Sequence, residues 1–368
     1  MIGWRMGTYI ASHFFKSTML IFLLFFALIV GVDLIELSKT LAKSGNGDFG
    51  DIFNIAILRA PSIAGRVLPF AVLFGATLSL LLLNRRLELV IARASGVSVW
   101  QFLLPLAITA AIIGAFSSFV YNPLSLTAVQ ASQAIEARLF GRVKGSFSNK
   151  SSNFWLRVGE NEGDAIIRAR VSQNGGQNLT AVSIYRFDRN GTIIERLDAE
   201  KADFEPLESG GNGYRLTNLV ATIPGQSGVS AKERVLRVNI SSSQLQTNTA
   251  LPDRIGFWNL LEQAERARAS GRNYLAFLTR YEHLLSRPLL FVAMVLLAGC
   301  VSLRFSRFGQ NGKLILGGVL AGFVLYVMTE IVLTFGSNGF VSPAMAAWSP
   351  AIVASLFGVT VLLHQEDG

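Results

Sequence analysis

The chain has 368 residues, of which 51% are hydrophobic and 15% are charged, and its formal net charge at pH 7 is +9. An ordinary soluble domain carries about 25% charged residues, so this composition indicates an integral membrane protein. The Lys and Arg residues border apolar runs or scatter through a polar middle without forming a basic stripe, which argues against a nucleic-acid-binding protein.

The first apolar run, Ser17 to Val32, is uncharged and is followed by Asp33 and Glu36 rather than by a signal-peptide cleavage site. It predicts a retained first membrane span. Asp33, Glu36, Lys39 and Lys43 recur every three or four residues, which predicts a polar stripe on a helix that leaves the membrane on its outer side. The stripe is either the charge ladder of a solvated helix end or a lipid-headgroup site, since lysines at a membrane edge attract phosphate.

The second apolar run, Val67 to Leu83, and the third, Val99 to Tyr121, predict two more spans, and Asn122-Pro123 predicts the end of the third. Residues 84–97 between them predict a short amphipathic cytoplasmic helix with a basic bias. It is either a surface loop that sets topology or a docking helix for a cytosolic partner. Its apolar stripe is Leu87, Val90, Ile91 and Ala94, and the charged residues flanking it are Arg85, Arg86, Glu88 and Arg93.

The middle of the chain, residues 124–271, mixes polar and charged residues with alternating apolar ones and predicts an all-β module outside the membrane. Asn190-Gly191 predicts a hairpin turn, and a short charged helix is expected between Pro252 and Gly271. The predicted strands are Asn153 to Arg157, Ala165 to Val171, Ala181 to Phe187, Thr192 to Leu197, Tyr214 to Ile223 and Val235 to Ile240.

Three further apolar runs predict the fourth, fifth and sixth spans: Pro288 to Leu303, Leu314 to Phe335 and Ala346 to Leu363. Basic residues after the fourth run predict a cytoplasmic loop there. The predicted architecture is a membrane α-helical protein of six spans in a three-plus-three arrangement. Residues 1–123 hold the first three spans, residues 124–271 the inserted β domain with its trailing helix, and residues 272–368 the last three spans. Both termini are expected in the cytoplasm.

The sequence contains no recognisable catalytic constellation. The three histidines lie far apart, and none has a carboxylate and a nucleophile at motif spacing. Gly312-Lys313 lacks both the earlier glycine and the following Ser or Thr that a phosphate-binding loop needs. The single cysteine, Cys300, excludes an internal disulfide and a multi-cysteine metal site. We therefore predict no enzymatic activity, no metal site and no cofactor, and we expect any transport to be driven by a separate ATPase.

Several segments together resemble the LptF/LptG family, the permease half-subunits of the lipopolysaccharide export ABC transporter. The resemblance covers nearly the whole chain and is strongest to the LptG type. The segments that carry it are Leu68 to Gly75, Leu87 to Val90, Ala94 to Ser98, Arg287 to Leu289, Gly322 to Tyr326 and Trp348 to Pro350.

The resemblance implies a fold, a location and a set of partners. The β domain would be a periplasmic jellyroll, and the chain would lie in the inner membrane of a Gram-negative bacterium. It would pair with an LptF-like six-span subunit on a homodimeric, LptB-like cytosolic ATPase. A single-span LptC-like protein and a periplasmic LptA-like bridge would take lipopolysaccharide onward. Residues 84–97 would be the coupling helix, which carries Glu88, at the family's acidic position, and Arg93 into a groove of the ATPase. Its ATPase-coupling residues would be Arg86, Leu87, Glu88, Val90, Ile91, Arg93 and Ala94.

The chain departs from the family after the third span, where relatives tend to carry basic residues and this sequence has Gln130 and Gln133. Two other functions stay open from the sequence. One is a permease of a lipoprotein or peptide ABC exporter, whose large external domain usually follows the first span. The other is a non-transporting membrane scaffold, which would not need an amphipathic helix between spans. The candidate lipid-headgroup residues are Asp33, Glu36, Lys39, Lys43 and Arg138.

Overall fold

A computed structural model describes residues 4–44, 48–139, 151–160, 163–173, 176–188, 192–206, 212–224, 228–238, 252–269, 273–302 and 311–367. The chain divides into two compact units, each with its own apolar core. The first unit is Met1–Gly141, Ile255–Glu265 and Asn273–Gly368, and the second is Arg142–Arg254 and Arg266–Arg272.

Six of the described helical stretches are long and apolar enough to cross a membrane, three before the β-strands in the sequence and three after them. They agree with the six predicted apolar runs, but most extend well beyond them. The described α-helices are α1 (Trp4–Ser44), α2 (Phe49–Arg85), α3 (Glu88–Ala94), α4 (Val99–Phe116), α5 (Asn122–Leu139), α6 (Leu260–Ala269), α7 (Leu275–Ser302), α8 (Asn311–Ser337) and α9 (Pro343–Asp367).

Small residues bring the helices of the first unit close together, as is common where lipid supplies no hydrophobic force between helices. A Cβ atom on Gly75 would lie 2.6 Å from the Thr18 Cα atom of α1. A Cβ atom on Gly114 would lie 2.6 Å from the Pro288 Cα atom, so α4 and α7 touch backbone to backbone. These approaches fix α2 and α7 at the centre of the unit, where they bury most of their apolar side chains.

The third long helix does not end at Pro123, contrary to the prediction. A π-helical turn, Ser117–Tyr121, joins α4 directly to α5, which starts at Asn122. Proline is tolerated in the first turn of a helix because its missing N–H is not needed there. The π turn shifts the hydrogen-bond register just before the proline, so the helical rod continues to Leu139. Consequently α5 lies within the first compact unit.

The second unit contains one six-stranded antiparallel sheet with its strands in sequence order. Each predicted strand falls largely within an observed one, although β6 starts six residues earlier than expected, and Asn190 and Gly191 lie outside the described residues. The strand order is that of a meander, so the jellyroll type is not confirmed. The strands are β1 (Ser151–Glu160), β2 (Gly163–Gln173), β3 (Asn178–Phe187), β4 (Ile193–Pro206), β5 (Asn212–Thr222) and β6 (Val229–Val238).

We call crease a row of residues that crosses the sheet from β1 to β6: in each pair of neighbouring strands one residue pair of this row is missing from the ladder, while the register is the same on both sides of it. In a flat strand, residues i and i+2 share a face, but the buried residues of β4 step from Ala199 to Ala202. Buried residues on both sides of the crease belong to one apolar cluster. The two parts of the inner face of the sheet therefore share one core. The row is Asn153, Arg170, Ala181, Glu200, Asn218 and Lys232.

Left-handed backbone at the crease marks where the strands change direction. Ala181 has φ of 53° and Asn218 has φ of 51°. Asparagine adopts this conformation more readily than alanine, for which it costs about 1 kcal/mol or more. The Asn218 side chain donates a hydrogen bond of 2.9 Å from Nδ2 to Glu200 Oε2, within the same row.

One cluster of charged side chains lies on the otherwise apolar inner face of the sheet. The Glu195 carboxylate is buried and accepts hydrogen bonds from Arg234 through both oxygens and from Arg186 Nη1 at 2.9 Å. Burial alone would raise the pKa of Glu195, but the hydrogen bonds from Arg234 and Arg186 outweigh it and lower that pKa below its usual value. Because β4 and β6 are not neighbours, the cluster ties strands on either side of β5 together.

This lowered pKa gives the stability of the chain a defined pH dependence. A carboxylate whose pKa is lower in the folded state stabilises the fold fully above its unfolded-state pKa of about 4.3, and this contribution is lost as the pH falls through the folded-state pKa. We expect Glu195→Gln to lower the free energy of unfolding of the β unit by about 1–3 kcal/mol at pH 7. The difference should shrink towards zero as the pH falls below about 4.

The check is thermal unfolding of the detergent-solubilised chain between pH 7 and pH 3, followed by intrinsic fluorescence. Glu200→Gln is the control, since this exposed carboxylate bonds an uncharged amide. A stability gap between Glu195→Gln and wild type that stays constant over the whole pH range would contradict the interpretation.

Candidate functional site

The candidate site is the predicted amphipathic segment between the second and third long helices. It is shorter than predicted, because α2 continues to Arg85 and α3 covers only Glu88–Ala94. Leu87 separates the two helices with a left-handed φ of 60°. After α3, Gly96 adopts φ of 83°, and the Ser98 hydroxyl accepts a hydrogen bond of 3.2 Å from the Trp100 N–H at the start of α4. Sharp turns therefore attach α3 closely to both neighbouring helices.

The two faces of α3 have opposite environments. Leu89 and Ala92 are buried and belong to the core cluster of the helical unit. The predicted apolar stripe points the other way: Leu87 is 58% exposed, Val90 41% and Ile91 67%, and Ala94 is exposed as well. The structure thus brings together the four apolar residues that the sequence singled out, and it places them on the surface of the unit.

Charged groups flank this apolar face. Glu88 Oε1 accepts a hydrogen bond of 3.3 Å from the Tyr9 hydroxyl of α1 and lies 4.0 Å from Arg86 Nη1. The Glu88 side chain is 37% exposed and the Arg86 side chain 59% exposed. The side chain of Arg93, which was also predicted for this site, lies outside the described residues.

The structure does not bring the candidate headgroup residues together. Asp33 is buried, and its Oδ1 lies 3.8 Å from Nη1 of Arg59, whose side chain is equally buried. Glu36 and Lys39 are exposed, so the predicted polar stripe divides between an inward and an outward side of α1. The side chains of Lys43 and Arg138 lie outside the described residues.

Sequence reasoning missed two buried arginines. Arg59 precedes the second predicted span, Val67 to Leu83, but α2 begins ten residues before Arg59, at Phe49. Arg287 was noted only as part of a family motif, yet it is buried and donates a hydrogen bond of 3.0 Å from Nη1 to Ser117 Oγ in the π turn. The Ser118 hydroxyl donates to the Leu284 carbonyl at 2.6 Å, so the π turn is joined to α7 at two points. Arginine at the border of an apolar run was the available signal.

A second contact site of the π turn involves Pro123. Since proline has no N–H, the carbonyl four residues earlier loses its usual helical donor. That carbonyl belongs to Phe119, and it accepts a hydrogen bond of 3.1 Å from the indole N–H of Trp258. The side-chain oxygen of Asn122 accepts one of 3.1 Å from the Phe257 N–H. These contacts fix the 3-10 turn Phe257–Asn259 to the third long helix.

Aromatic packing strengthens this joint. The Phe257 ring lies 5.0 Å from the Tyr281 ring of α7 at an interplanar angle of 17°, and 4.9 Å from the Phe119 ring. Such ring pairs contribute about 0.5–1.5 kcal/mol each beyond the area that they bury. The residues that follow the sheet in sequence are therefore anchored to two long helices at once.

An apolar cleft of about 360 Å³ lies beside the π turn, and the Tyr121 hydroxyl closes one side by donating to the Pro61 carbonyl at 2.7 Å. Ser125 and Thr127 line the cleft, but each hydroxyl donates to a backbone carbonyl of its own helix. The cleft therefore suits hydrocarbon rather than a polar ligand. Among the described residues, no group of three or more His, Cys, Asp or Glu side chains is arranged to hold a metal ion.

Comparison with known proteins identifies similar chains. The family model for the lipopolysaccharide export system permease LptF/LptG matches residues 8–364. The lipopolysaccharide export system permease protein LptG of Escherichia coli strain K12 is 24% identical to this chain over 366 residues, and so is that of Escherichia coli O6:H1 strain CFT073. Each match covers 97% of this chain and 98% of the relative.

The hydrogen bond from Trp258 to the Phe119 carbonyl predicts that substitutions of Trp258 and Pro123 are coupled. Trp258→Phe keeps the ring but leaves the Phe119 carbonyl without its donor, so we expect a loss of about 1 kcal/mol of stability. Pro123→Ala restores a backbone N–H within the helix. In that background Trp258→Phe should cost at least about 0.5 kcal/mol less.

Thermal or denaturant unfolding of the four variants in the same detergent measures this coupling. Trp348→Phe is a matched control, because its indole N–H donates to the Glu282 carboxylate instead of a backbone carbonyl. Strict additivity of Pro123→Ala and Trp258→Phe, within about 0.3 kcal/mol, would contradict the assignment.

Proposed function

This chain belongs to the LptF/LptG family of lipopolysaccharide export system permeases, and on that premise we propose that it is one membrane subunit of an ATP-driven lipopolysaccharide exporter. Members of this family are transporter components and not enzymes. The membership and the six apolar helices support a multi-pass protein of the inner membrane of a Gram-negative bacterium.

The observation that carries the proposal is the exposed apolar face of α3. Burying one large aliphatic side chain contributes about 1.5–3 kcal/mol, and Leu87, Val90 and Ile91 all leave that free energy unused in the isolated chain. These exposed apolar side chains, with Glu88 and Arg86 beside them, form a small apolar surface with a charged rim, as protein–protein interfaces often have. We propose that α3 is the coupling helix and that this surface docks on an LptB-like ATPase homodimer.

The attachment of α3 suggests how the docked ATPase would act. Leu89 and Ala92 anchor α3 in the core, and connections of two and four residues join it to α2 and α4, so a displacement of α3 moves both helices. We propose that lipopolysaccharide enters laterally between the spans of this chain and those of an LptF-like sister subunit. Closure of the ATPase dimer, passed on through α3, then narrows the cavity and moves the lipid outward.

The β unit is proposed to receive the lipid outside the membrane. Its support is the single apolar cluster that the crease brings together on the inner face of the sheet. An LptC-like single-span protein and an LptA-like bridge would take the lipid onward. A jellyroll-type β domain, a three-plus-three arrangement of spans and cytoplasmic termini are parts of the same proposal.

For the lipid headgroup, the exposed candidates are Glu36 and Lys39, with Lys43 and Arg138 proposed beside them. A lysine near the membrane edge attracts lipid phosphate. Asp33 has a different setting, because Arg59 already lies against its carboxylate. We propose that the Asp33–Arg59 pair holds α1 against α2 below the headgroup.

Purification of the chain from its native membrane in mild detergent, with mass spectrometry of proteins and lipids, tests the function. We expect a cytosolic ATPase, a second six-span subunit and a lipid A-containing glycolipid to be recovered with it. An ATPase with another cargo would indicate a different exporter, and the chain alone would indicate a scaffold; either result would refute the proposal.

The same experiment on Leu87→Asn tests the docking surface. Asparagine tolerates the left-handed backbone at this position but removes the apolar side chain. We expect the fold, the sister subunit and the glycolipid to be kept and the recovery of the ATPase to fall at least about tenfold, as expected for the loss of one buried aliphatic side chain. Leu363→Asn, at another exposed leucine near the end of α9, should leave the recovery unchanged.

A further inference from the structure

A side-chain hydrogen bond joins the coupling helix to α1, which is not its neighbour in sequence. The Tyr9 hydroxyl donates to Glu88 Oε1 at 3.3 Å across 79 residues of chain. The backbone attaches α3 to α2 and α4 only, so this bond is a separate connection between α3 and the first long helix.

Of the two groups beside the Glu88 carboxylate, the Tyr9 hydroxyl is the nearer one and the one at hydrogen-bond distance, and Tyr9 is 42% exposed. Arg86 Nη1 approaches the same oxygen at 4.0 Å, but Arg86 is mostly exposed and adjacent to α3 in sequence. An exposed pair at that distance contributes little, because water screens it and both side chains must be ordered. The hydroxyl of Tyr9 comes from a different helix, so it holds the carboxylate relative to the helical unit as a whole.

The position of Tyr9 is itself set by α1 and α2. Ile10 and Phe14 of α1 are fully buried in the core cluster. One turn beyond Tyr9, His13 Nδ1 lies 3.1 Å from Ser79 Oγ of α2, and the Tyr9 and His13 rings are 6.3 Å apart. The phenol is thus placed before it meets α3, as a positioning group has to be.

Beyond these anchors α1 exposes a continuous apolar side. Leu20, Leu24, Leu28, Val32 and Ile35 follow one another at helical spacing and are 58–61% exposed. The bond to Glu88 lies at the cytoplasm-facing end of this helix in the proposed topology.

We propose that Tyr9 is a positioning residue for the coupling helix: its hydroxyl holds the Glu88 carboxylate in the orientation that the ATPase meets, and the bond passes docking directly to the first span. The proposal rests on the proposed function, since it needs an ATPase docked on α3. It adds a second route of coupling, through α1, to the covalent route through α2 and α4.

The test is reconstitution of the chain with the sister subunit and the ATPase in nanodiscs that contain lipopolysaccharide. Tyr9→Phe removes only the hydroxyl. We expect it to lower lipopolysaccharide-stimulated ATP hydrolysis about threefold to tenfold, the range expected for the loss of one solvent-exposed hydrogen bond, with an unchanged thermal midpoint. In a Glu88→Ala background, where the acceptor is absent, Tyr9→Phe should have no further effect.

Ser12→Ala is the matched control, because it removes a hydroxyl one turn away that donates to the Tyr9 carbonyl of its own helix. Full stimulation in Tyr9→Phe, or an equal loss with and without Glu88, would overturn the positioning role while the wild-type stimulation still supports the proposed function. Absence of stimulation in the wild-type complex would instead refute the proposed function and, with it, the role of Tyr9.

Discussion

The burial of Leu89 and Ala92 determines which side chains α3 leaves exposed. In a helix of seven residues, two buried side chains fix the rotation of the whole element. Once they are in the core, Leu87, Val90 and Ile91 have to face outward, and the left-handed turn at Leu87 allows α3 to start directly after α2. The exposed face of α3 and the meeting of Glu88 with Tyr9 both depend on this packing.

The sequence predicted the elements well and their environments less well. Long uncharged runs identify spans, and alternation identifies strands, because each pattern reflects one period of the backbone. Residues 87–94 show the limit of this reasoning. Periodicity finds an apolar stripe on α3, but it cannot say whether that stripe or the pair Leu89 and Ala92 packs into the core.

Other differences have equally local causes. Pro123 is typical of a helix end. In the structure the π turn before it shifts the hydrogen-bond register, and the indole N–H of Trp258 donates to the Phe119 carbonyl, which lacks the N–H of Pro123 as a donor. Arg59 lies before the second apolar run, and a charged residue in that place is typical of a segment outside the span. The apolar run alone does not show that α2 already begins at Phe49. The crease depends on a left-handed Ala181, a conformation that alanine rarely adopts and that no local pattern indicates.

Charged groups in both units act as ties between elements that the chain does not connect directly. Asp33 and Arg59 join α1 to α2, and Glu195 with its two arginines joins strands on either side of β5. Buried pairs of this kind add little net stability compared with apolar packing, but breaking one partner is costly. Their effect is to fix which face of α1 packs on α2 and which strands of the sheet lie against each other.

The most direct test of the central claim is photo-crosslinking from the exposed face of α3 in native membranes. A photoreactive amino acid at Ile91, on the exposed face, is compared with the same residue at Leu261, an exposed position far along the chain in α6. The account predicts a crosslink from position 91 to a cytosolic ATPase and none from position 261. Crosslinking from position 91 to lipid alone, with no protein partner, would contradict it.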